Sequence, residues 1–161
     1  MPDLKFGPHD IETLFFISKS DDHNRVDYGL RLDPSCQPVG DAPVFPYWRE
    51  FEGAPPVRTH SLKFFEHAAY GVAGLKSVRL AEKSAEISLR LRALARQLVI
   101  STGLGPDGRC QAVVRTSIDG VEGAELVSAY VKLKGVLSVD YVEIYGRHPV
   151  SGADLSERIK P

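Results

Sequence analysis

The sequence contains few of the features that identify a function directly. It has two cysteines, one methionine and one tryptophan in 161 residues. No apolar run approaches the roughly 20 residues that a membrane-spanning helix needs, and the N-terminus shows no apolar leader. We therefore expect no membrane insertion and a cytoplasmic location, although a leader that preceded the given chain would not be seen in it.

An excess of charge of either sign is also missing. Lysine and arginine number 20 against 21 aspartates and glutamates, for a formal net charge of -1. Without surplus cations, the chain lacks the electrostatic footprint of a non-specific nucleic-acid binder and the polybasic patch that anionic lipid attracts. We therefore expect no nucleic-acid partner. The oligomeric state is not indicated.

Catalytic and metal-binding motifs are absent as well. There is no G-x-S-x-G nucleophile elbow. The glycines of residues 103–108 precede an apparent strand and not a helix, which argues against a phosphate cradle. The histidines His23, His60 and His67 have none of the spacings typical of zinc sites. We expect neither a metal nor a cofactor.

The two cysteines, Cys36 and Cys110, are far apart and form no C-x-x-C pair. Their spacing does not decide whether they pair in a disulfide. In an intracellular chain, reduced cysteines commonly pack as small buried apolar side chains. We therefore favour two free, buried thiols over a disulfide.

The composition that is present suits one folded domain. Hydrophobic residues make up 43% of the chain and charged residues 25%, which is the ordinary globular balance. A chain of this length buries a sufficient core without cross-links. We predict one domain over residues 1–161, with a lead-in over 1–11, a β core over 12–147 and a polar tail over 148–161.

Alternation of apolar and polar residues predicts strands along most of the chain. A β-branched and aromatic run over residues 13–17 precedes clear alternation over 26–33, and these two strands could form a hairpin. Alternation resumes after Gly74 and favours a strand over a helix for residues 82–97. About eight strands with short turns predict a small antiparallel β-barrel, similar to a lipocalin or calycin, and a β-sandwich is the alternative.

Two segments interrupt this pattern. Prolines crowd the connection over residues 33–56, which argues against a central strand there. Residues 62–70 suit a short helix, with Ser61 as its N-cap and Gly71 ending it in the left-handed conformation.

Polar and aromatic residues gather in the front half of the chain. Asn24 and Tyr28 would project from one strand face, while Glu66 and Tyr70 would share a helix face at i,i+4 spacing. Small-ligand pockets combine apolar walls with a few polar groups of this kind. Each residue also has a purely structural interpretation, such as a core tyrosine or a loop-anchoring tryptophan. The predicted ligand site comprises Asn24, Tyr28, Tyr47, Trp48, Glu66 and Tyr70.

Glu66 is the candidate general acid or base. Burial of a carboxyl raises its pKa and makes it suitable for proton transfer near neutral pH. Tyr70 and His23 are the supporting catalytic candidates. The alternative is a solvent-facing glutamate on a short helix, which is the commoner situation for this residue type.

Cations alternate with apolar residues along the later strands. The pattern predicts a solvated outer face, whereas a register shifted by one residue would turn the cations inward to attract an anionic headgroup. The residues concerned are Arg90, Arg92, Arg115 and Lys132.

Several short motifs together resemble the DUF4833 family, which is catalogued only as a domain of unknown function. They are Phe15-Phe16-Ile17, Asn24-Arg-Val-Asp-Tyr28, Tyr47-Trp48, Glu66-x-x-x-Tyr70-Gly71 and the run from Tyr141 to Arg147. The resemblance spans residues 14–158 and implies no activity. It adds weight to Asn24, Tyr28, Trp48, Glu66 and Tyr70 as a set.

Three functions are consistent with these observations. The first is a binding module that holds a small, partly apolar or lipid-like ligand. The second is an enzyme, such as an isomerase, cyclase or hydrolase, that uses Glu66 as general acid or base. The third is a structural or protein-interaction domain with a filled core. We rank them in this order.

Overall fold

The chain folds mainly as β structure in a computed structural model that describes residues 4–51, 58–135 and 138–161. No helix in the described ranges is long and apolar enough to span a membrane. The alternation of apolar and polar residues correctly predicts a strand within residues 82–97. The elements are β1 (Ile11–Lys19), β2 (Arg25–Leu30), β3 (Val44–Glu50), β4 (Arg58–Ser61), a 3₁₀ turn (Phe64–Glu66), α1 (His67–Tyr70), β5 (Val72–Ala81), β6 (Ser84–Leu91), β7 (Gln97–Leu104), β8 (Cys110–Ile118), β9 (Val121–Lys134), β10 (Ser138–Arg147) and β11 (Asp154–Ile159).

All of these strands belong to one mixed sheet. Its order is β4-β3-β2-β1-β9-β8-β7-β6-β5, with β10 paired to β9 and β11 paired to β10, for eleven strands in the described residues. The two ends of the path, β4 and β5, do not pair, so the sheet is not closed. The predicted small antiparallel β-barrel of about eight strands is therefore wrong, although the mainly β class is confirmed.

The long strand β9 pairs with three other strands. Its first part pairs with β8 around Ala124 and Glu125. Its later part pairs in parallel with β1 from Ser128 to Val131. Strands β8 and β1 thus share one edge of β9, and β10 pairs along the other edge. The sheet therefore branches at β9 into one wing that begins with β1 and a second that begins with β8. Alternation of apolar and polar residues predicts which face of the sheet each side chain occupies, but it does not predict which strand pairs with which.

Buried side chains of both wings form one hydrophobic core. Phe15 and Tyr28 represent the β1–β2 wing, Ile87 and Ile100 the β6–β7 wing, and Leu126 lies on β9 between them. Each of these side chains is at most 2% exposed. Burial of a large apolar side chain contributes roughly 1.5–3 kcal/mol, so the wings stabilise one another.

A disulfide joins Cys36 to Cys110, with the two Cα atoms 5.5 Å apart. The prediction of two free thiols is therefore wrong. The loop after β2 folds back over the ends of β6 and β7, and there the Cys36 carbonyl accepts a hydrogen bond of 2.7 Å from the Thr102 hydroxyl. The same hydroxyl accepts a bond of 2.9 Å from the amide of Ala85. This folding back brings distant cysteines together, which sequence spacing does not reveal.

The proline-rich connection contains a central strand, contrary to the prediction. Strand β3 lies between β2 and β4 and includes Pro46, which pairs opposite Tyr28. Strand β4 pairs only with β3 residues from Tyr47 onward. Pro46 thus lies beyond the stretch of β3 that has a neighbour on both sides, where a missing N–H is tolerated. Part of the connection, residues 52–57, lies outside the described residues.

The predicted helix over residues 62–70 is shorter and begins differently. Ser61 ends strand β4 and is not an N-cap, while the 3₁₀ turn begins after Lys63. Gly71 has a φ of -68° and is extended, so the predicted left-handed ending is wrong. A glycine is needed there for a different reason, because a Cβ atom would collide with the His67 carbonyl oxygen.

Residues 148–161 are more ordered than the predicted polar tail. Strand β11 pairs along β10 from Asp154 to Ile159 and extends the β core beyond residue 147. Glu157 accepts a hydrogen bond of 2.6 Å from the Asp119 amide and pairs with Arg96. These contacts fix the last strand against the turn between β8 and β9.

Candidate functional site

Four of the predicted site residues lie together, and we call them the aromatic anchor: Tyr28, Trp48, Glu66 and Tyr70. The Trp48 indole N–H donates a hydrogen bond of 2.9 Å to Glu66 Oε2. The Tyr28 hydroxyl donates one of 2.6 Å to the Tyr70 carbonyl oxygen. The Trp48 and Tyr70 rings meet edge to face with centroids 6.1 Å apart. The anchor therefore joins α1 and its preceding turn to strands β2 and β3.

Tyr28 is the buried end of the anchor. Its side chain is fully buried and its ring stacks on Phe15 with centroids 4.6 Å apart. Burial raises the pKa of the Tyr28 phenol, and the neighbouring Tyr70 phenol adds to the shift. Tyr28 is thus a neutral hydrogen-bond donor at ordinary pH.

Glu66 uses both carboxylate oxygens to hold its segment in place. Oε2 accepts the bond from Trp48, and Oε1 accepts a bond of 2.7 Å from the Lys63 amide. The second contact satisfies an N–H that the start of a helical turn leaves without a partner. Glu66 thereby ties the turn both to itself and to β3.

The half-buried Tyr70 phenol faces two carboxylates. Its pKa is raised by burial and further by the nearby charges of Asp22 and Glu66. Lys19 balances this charge, because its ammonium lies 3.6 Å from an Asp22 oxygen and 5.3 Å from the centre of the Trp48 ring. Sequence reasoning did not predict Lys19, whose position at the end of β1 carries no distinguishing signal.

The other predicted residues lie elsewhere. Asn24 precedes β2, and its side-chain oxygen accepts a hydrogen bond of 2.9 Å from the Phe51 amide after β3. His23 is exposed in the turn between β1 and β2. Tyr47 is fully buried but is the neighbour of Trp48 along β3, so it lies on the opposite face of the sheet.

The face that holds Tyr47 contains a buried ionic network around Asp27. The Asp27 carboxylate is fully buried and accepts hydrogen bonds from Arg25 Nε at 2.7 Å, Arg49 Nε at 2.9 Å and the Thr13 hydroxyl at 2.7 Å. Arg49 also donates a bond of 2.8 Å to the Tyr47 hydroxyl. Burial raises the pKa of Tyr47. The network was not predicted from the sequence, where its one signal is that Asp27 and Arg25 share a face of β2.

Two adjacent phenylalanines beside the anchor are exposed to solvent. Phe64 is 89% exposed and Phe65 is 60% exposed, and their rings meet edge to face at 5.9 Å. We call this pair the aromatic tip. The Lys63 ammonium lies 6.0 Å from the Phe65 ring centre.

A family model matches residues 15–158, which include the whole anchor and the tip. The chain belongs to the DUF4833 family. This confirms the resemblance seen in the sequence motifs, and the family is described as a domain of unknown function. Comparisons with curated proteins and with solved structures gave no match.

The clefts of this DUF4833 domain do not coincide with the anchor. Clefts of about 200 to about 710 Å³ occur on the described surface, and none of these is lined by an anchor residue. In the described ranges, no group of three or more histidine, cysteine, aspartate or glutamate side chains is arranged to hold a metal ion.

Replacing Glu66 in the DUF4833 domain tests its anchoring role. Both Glu66 oxygens accept hydrogen bonds, from the Trp48 indole N–H and the Lys63 amide. In Glu66→Gln the side-chain oxygen can accept only one of these bonds, and the NH₂ group faces the other donor. We expect the free energy of unfolding to fall by about 1–2 kcal/mol, measured by urea denaturation, with a shift in the emission of the single tryptophan. Glu82→Gln, at an exposed position, is the control. Equal stability of both variants would refute the anchoring role.

Proposed function

We propose that this DUF4833 domain is a binding module that holds a small, partly apolar ligand on the aromatic tip. The observation that supports this is the exposure of Phe64 and Phe65, at 89% and 60%, on a segment fixed by Glu66. Adjacent apolar rings in water are a feature of binding surfaces. Covering them contributes about 25 cal/mol for each Å² of apolar area removed from water.

The anchor contributes by holding the tip ready before the ligand arrives. Glu66 bonds to Trp48 and Lys63, and Tyr28 bonds to the Tyr70 carbonyl at the other end of the segment. A surface that is already ordered loses less conformational entropy on binding. In this proposal the predicted ligand residues Tyr28, Trp48, Glu66 and Tyr70 support the tip and do not enclose a cavity.

The residues beside the tip suggest the chemistry of the ligand. Lys63 lies next to the Phe65 ring and its ammonium can meet an anionic or hydrogen-bonding head group. A ligand with an apolar body and such a head, as in fatty acids, terpenoid acids and single-chain lipids, fits both features. The enzyme alternative receives less support, because each Glu66 oxygen already accepts a structural hydrogen bond.

The single tryptophan provides the experiment. Trp48 bonds directly to Glu66, so a ligand that covers the neighbouring tip is expected to change Trp48 emission in a saturable way. We expect this response from the wild type with fatty acids, terpenoid acids or lysophospholipids, and its loss from Phe64→Ala/Phe65→Ala. Val150→Ala is the matched control, because Val150 is 90% exposed on a different part of the surface.

Two results would contradict the proposal. One is a wild type whose Trp48 emission does not change with any member of the panel. The other is a double variant that responds with the wild-type affinity. Either result would favour the third function, a structural or protein-interaction domain.

The disulfide supports a working location in an oxidising compartment. Cys36 and Cys110 are joined and buried, and such bonds persist in secreted and periplasmic proteins and are rare in the cytosol. We propose this location in place of the cytoplasmic one that the sequence suggested. Exposing living host cells to a membrane-impermeant protein-labelling reagent tests it, since only protein outside the cytoplasm is labelled. Labelling that requires lysis would contradict the proposal.

A further inference from the structure

Cations gather on the outer face of strands β5 to β8, away from the aromatic tip. Three neighbouring clefts of about 370, 500 and 710 Å³ follow this face, and Gln97 lines all three. We call them together the basic trough. Its cations are Lys76, Arg90, Arg96 and Arg115.

The strand register shows how these cations are spaced. Lys76 pairs opposite Ser88, and Arg90 pairs opposite Gln97. Arg115 lies on β8, three strands away from Lys76 on β5. Neighbouring strands are about 4.8 Å apart, so the cations spread over roughly 14 Å across the sheet. They do not converge on one point, which suits an extended anion better than a single small ion.

Most of these cations are available to a ligand. Lys76 and Arg90 are exposed, and in the described ranges neither forms an ion pair with a carboxylate. Arg115 donates a bond of 3.0 Å to the Gly123 carbonyl and retains its other donors. Arg96 differs because it is paired with Glu157. Three carboxylates lie beside the trough: Glu122 lines it, Glu86 shares the face of Arg90 on β6, and Glu125 lies opposite Arg115. Glu125 is paired with Arg147.

We propose that the basic trough binds a linear polysaccharide that carries carboxylate or sulfate groups. Guanidinium and ammonium groups match such anions, and guanidinium pairs with them in a bidentate manner. Between the cations, the side chains of Ser88, Gln97 and Ser117 line the clefts and can bond to sugar hydroxyls.

A polysaccharide fits the trough better than a nucleic acid does. No aromatic side chain lines the three clefts, and single-stranded nucleic acids depend on aromatic platforms for base stacking. The Cys36–Cys110 disulfide fits a compartment outside the cytoplasm, where anionic polysaccharides are met.

The experiment measures binding of the full chain to heparin and to polygalacturonate by isothermal calorimetry at several salt concentrations. We expect Lys76→Ser/Arg90→Ser to weaken binding at least about tenfold and to reduce the slope of log Kd against log salt by about two. Lys134→Ser/Lys160→Ser removes two exposed cations outside the trough and is expected to stay within about twofold of wild type.

Four outcomes would overturn the proposal, of which the first three concern the charged polymers. They are no binding of either polysaccharide by the wild type at low salt, equal loss in the two double variants, and tighter binding of a single-stranded DNA of equal charge than of either polysaccharide. Binding of neutral dextran as tightly as heparin would also refute it. Trp48 emission with the tip ligands is expected to be unchanged in Lys76→Ser/Arg90→Ser, which separates this proposal from the tip.

Discussion

Replacing both Cys36 and Cys110 by alanine is expected to lower the free energy of unfolding by about 4 kcal/mol. The disulfide joins residues 74 positions apart, so its removal releases a long loop in the unfolded chain. It also frees the segment after β2, whose Cys36 carbonyl bonds to Thr102. Urea denaturation of the double variant measures the effect. Wild-type protein unfolded and refolded in reductant is expected to match it.

The single variants make this test specific. Each of Cys36→Ala and Cys110→Ala breaks the same bond, so each is expected to lose nearly as much stability as the double variant. Two independent buried thiols, which the sequence analysis favoured, would instead give small and additive losses. Additive losses would therefore show that the disulfide is absent in solution.

Replacing Asp27 by alanine is expected to cost about 3–5 kcal/mol of stability. The substitution removes a fully buried carboxylate and leaves Arg25 and Arg49 close together without their shared partner. Thr13 also loses the acceptor of its hydroxyl. Thermal or urea denaturation at neutral pH measures the change.

A double-mutant cycle separates the network from simple loss of packing. Asp27→Ala/Arg49→Ala is expected to lose less stability than the sum of its single variants, because the second substitution removes a cation that the first left unpaired. Asp140→Ala, at an exposed strand position, serves as control and is expected to change stability by less than about 0.5 kcal/mol. Additivity of Asp27 and Arg49 would contradict a coupled network.

Local signals in the sequence predicted several strands but not the way they assemble. The strand predicted from Val26 onward is found in β2, with Tyr28 and Leu30 in the core, but both faces of this strand are buried. The parallel pairing of β1 with β9 joins residues more than 100 positions apart, and no local pattern encodes it. The prediction that Pro46 excludes a central strand was wrong for a related reason. A proline is tolerated in β3 because β4 begins to pair only after it, at Tyr47.

The sequence predicted which residues lie close together better than it predicted which side chains are exposed. Trp48, Glu66 and Tyr70 were identified as a set and do meet in space. Their side chains bond within the fold, however, and the exposed rings are those of Phe64 and Phe65. Apolar residues in a short turn are exposed or buried according to the tertiary position of the turn, which hydrophobic periodicity does not specify.

Native mass spectrometry of protein purified gently from its own host tests the central claim that the aromatic tip holds a ligand. Wild type, Phe64→Ala/Phe65→Ala and Val150→Ala would be compared with their denatured masses, both as isolated and after incubation with a host lipid extract. We predict a discrete non-covalent adduct on wild type and on Val150→Ala that is missing from the tip variant. Equal adducts on all three proteins, or no adduct on wild type after incubation, would contradict the account.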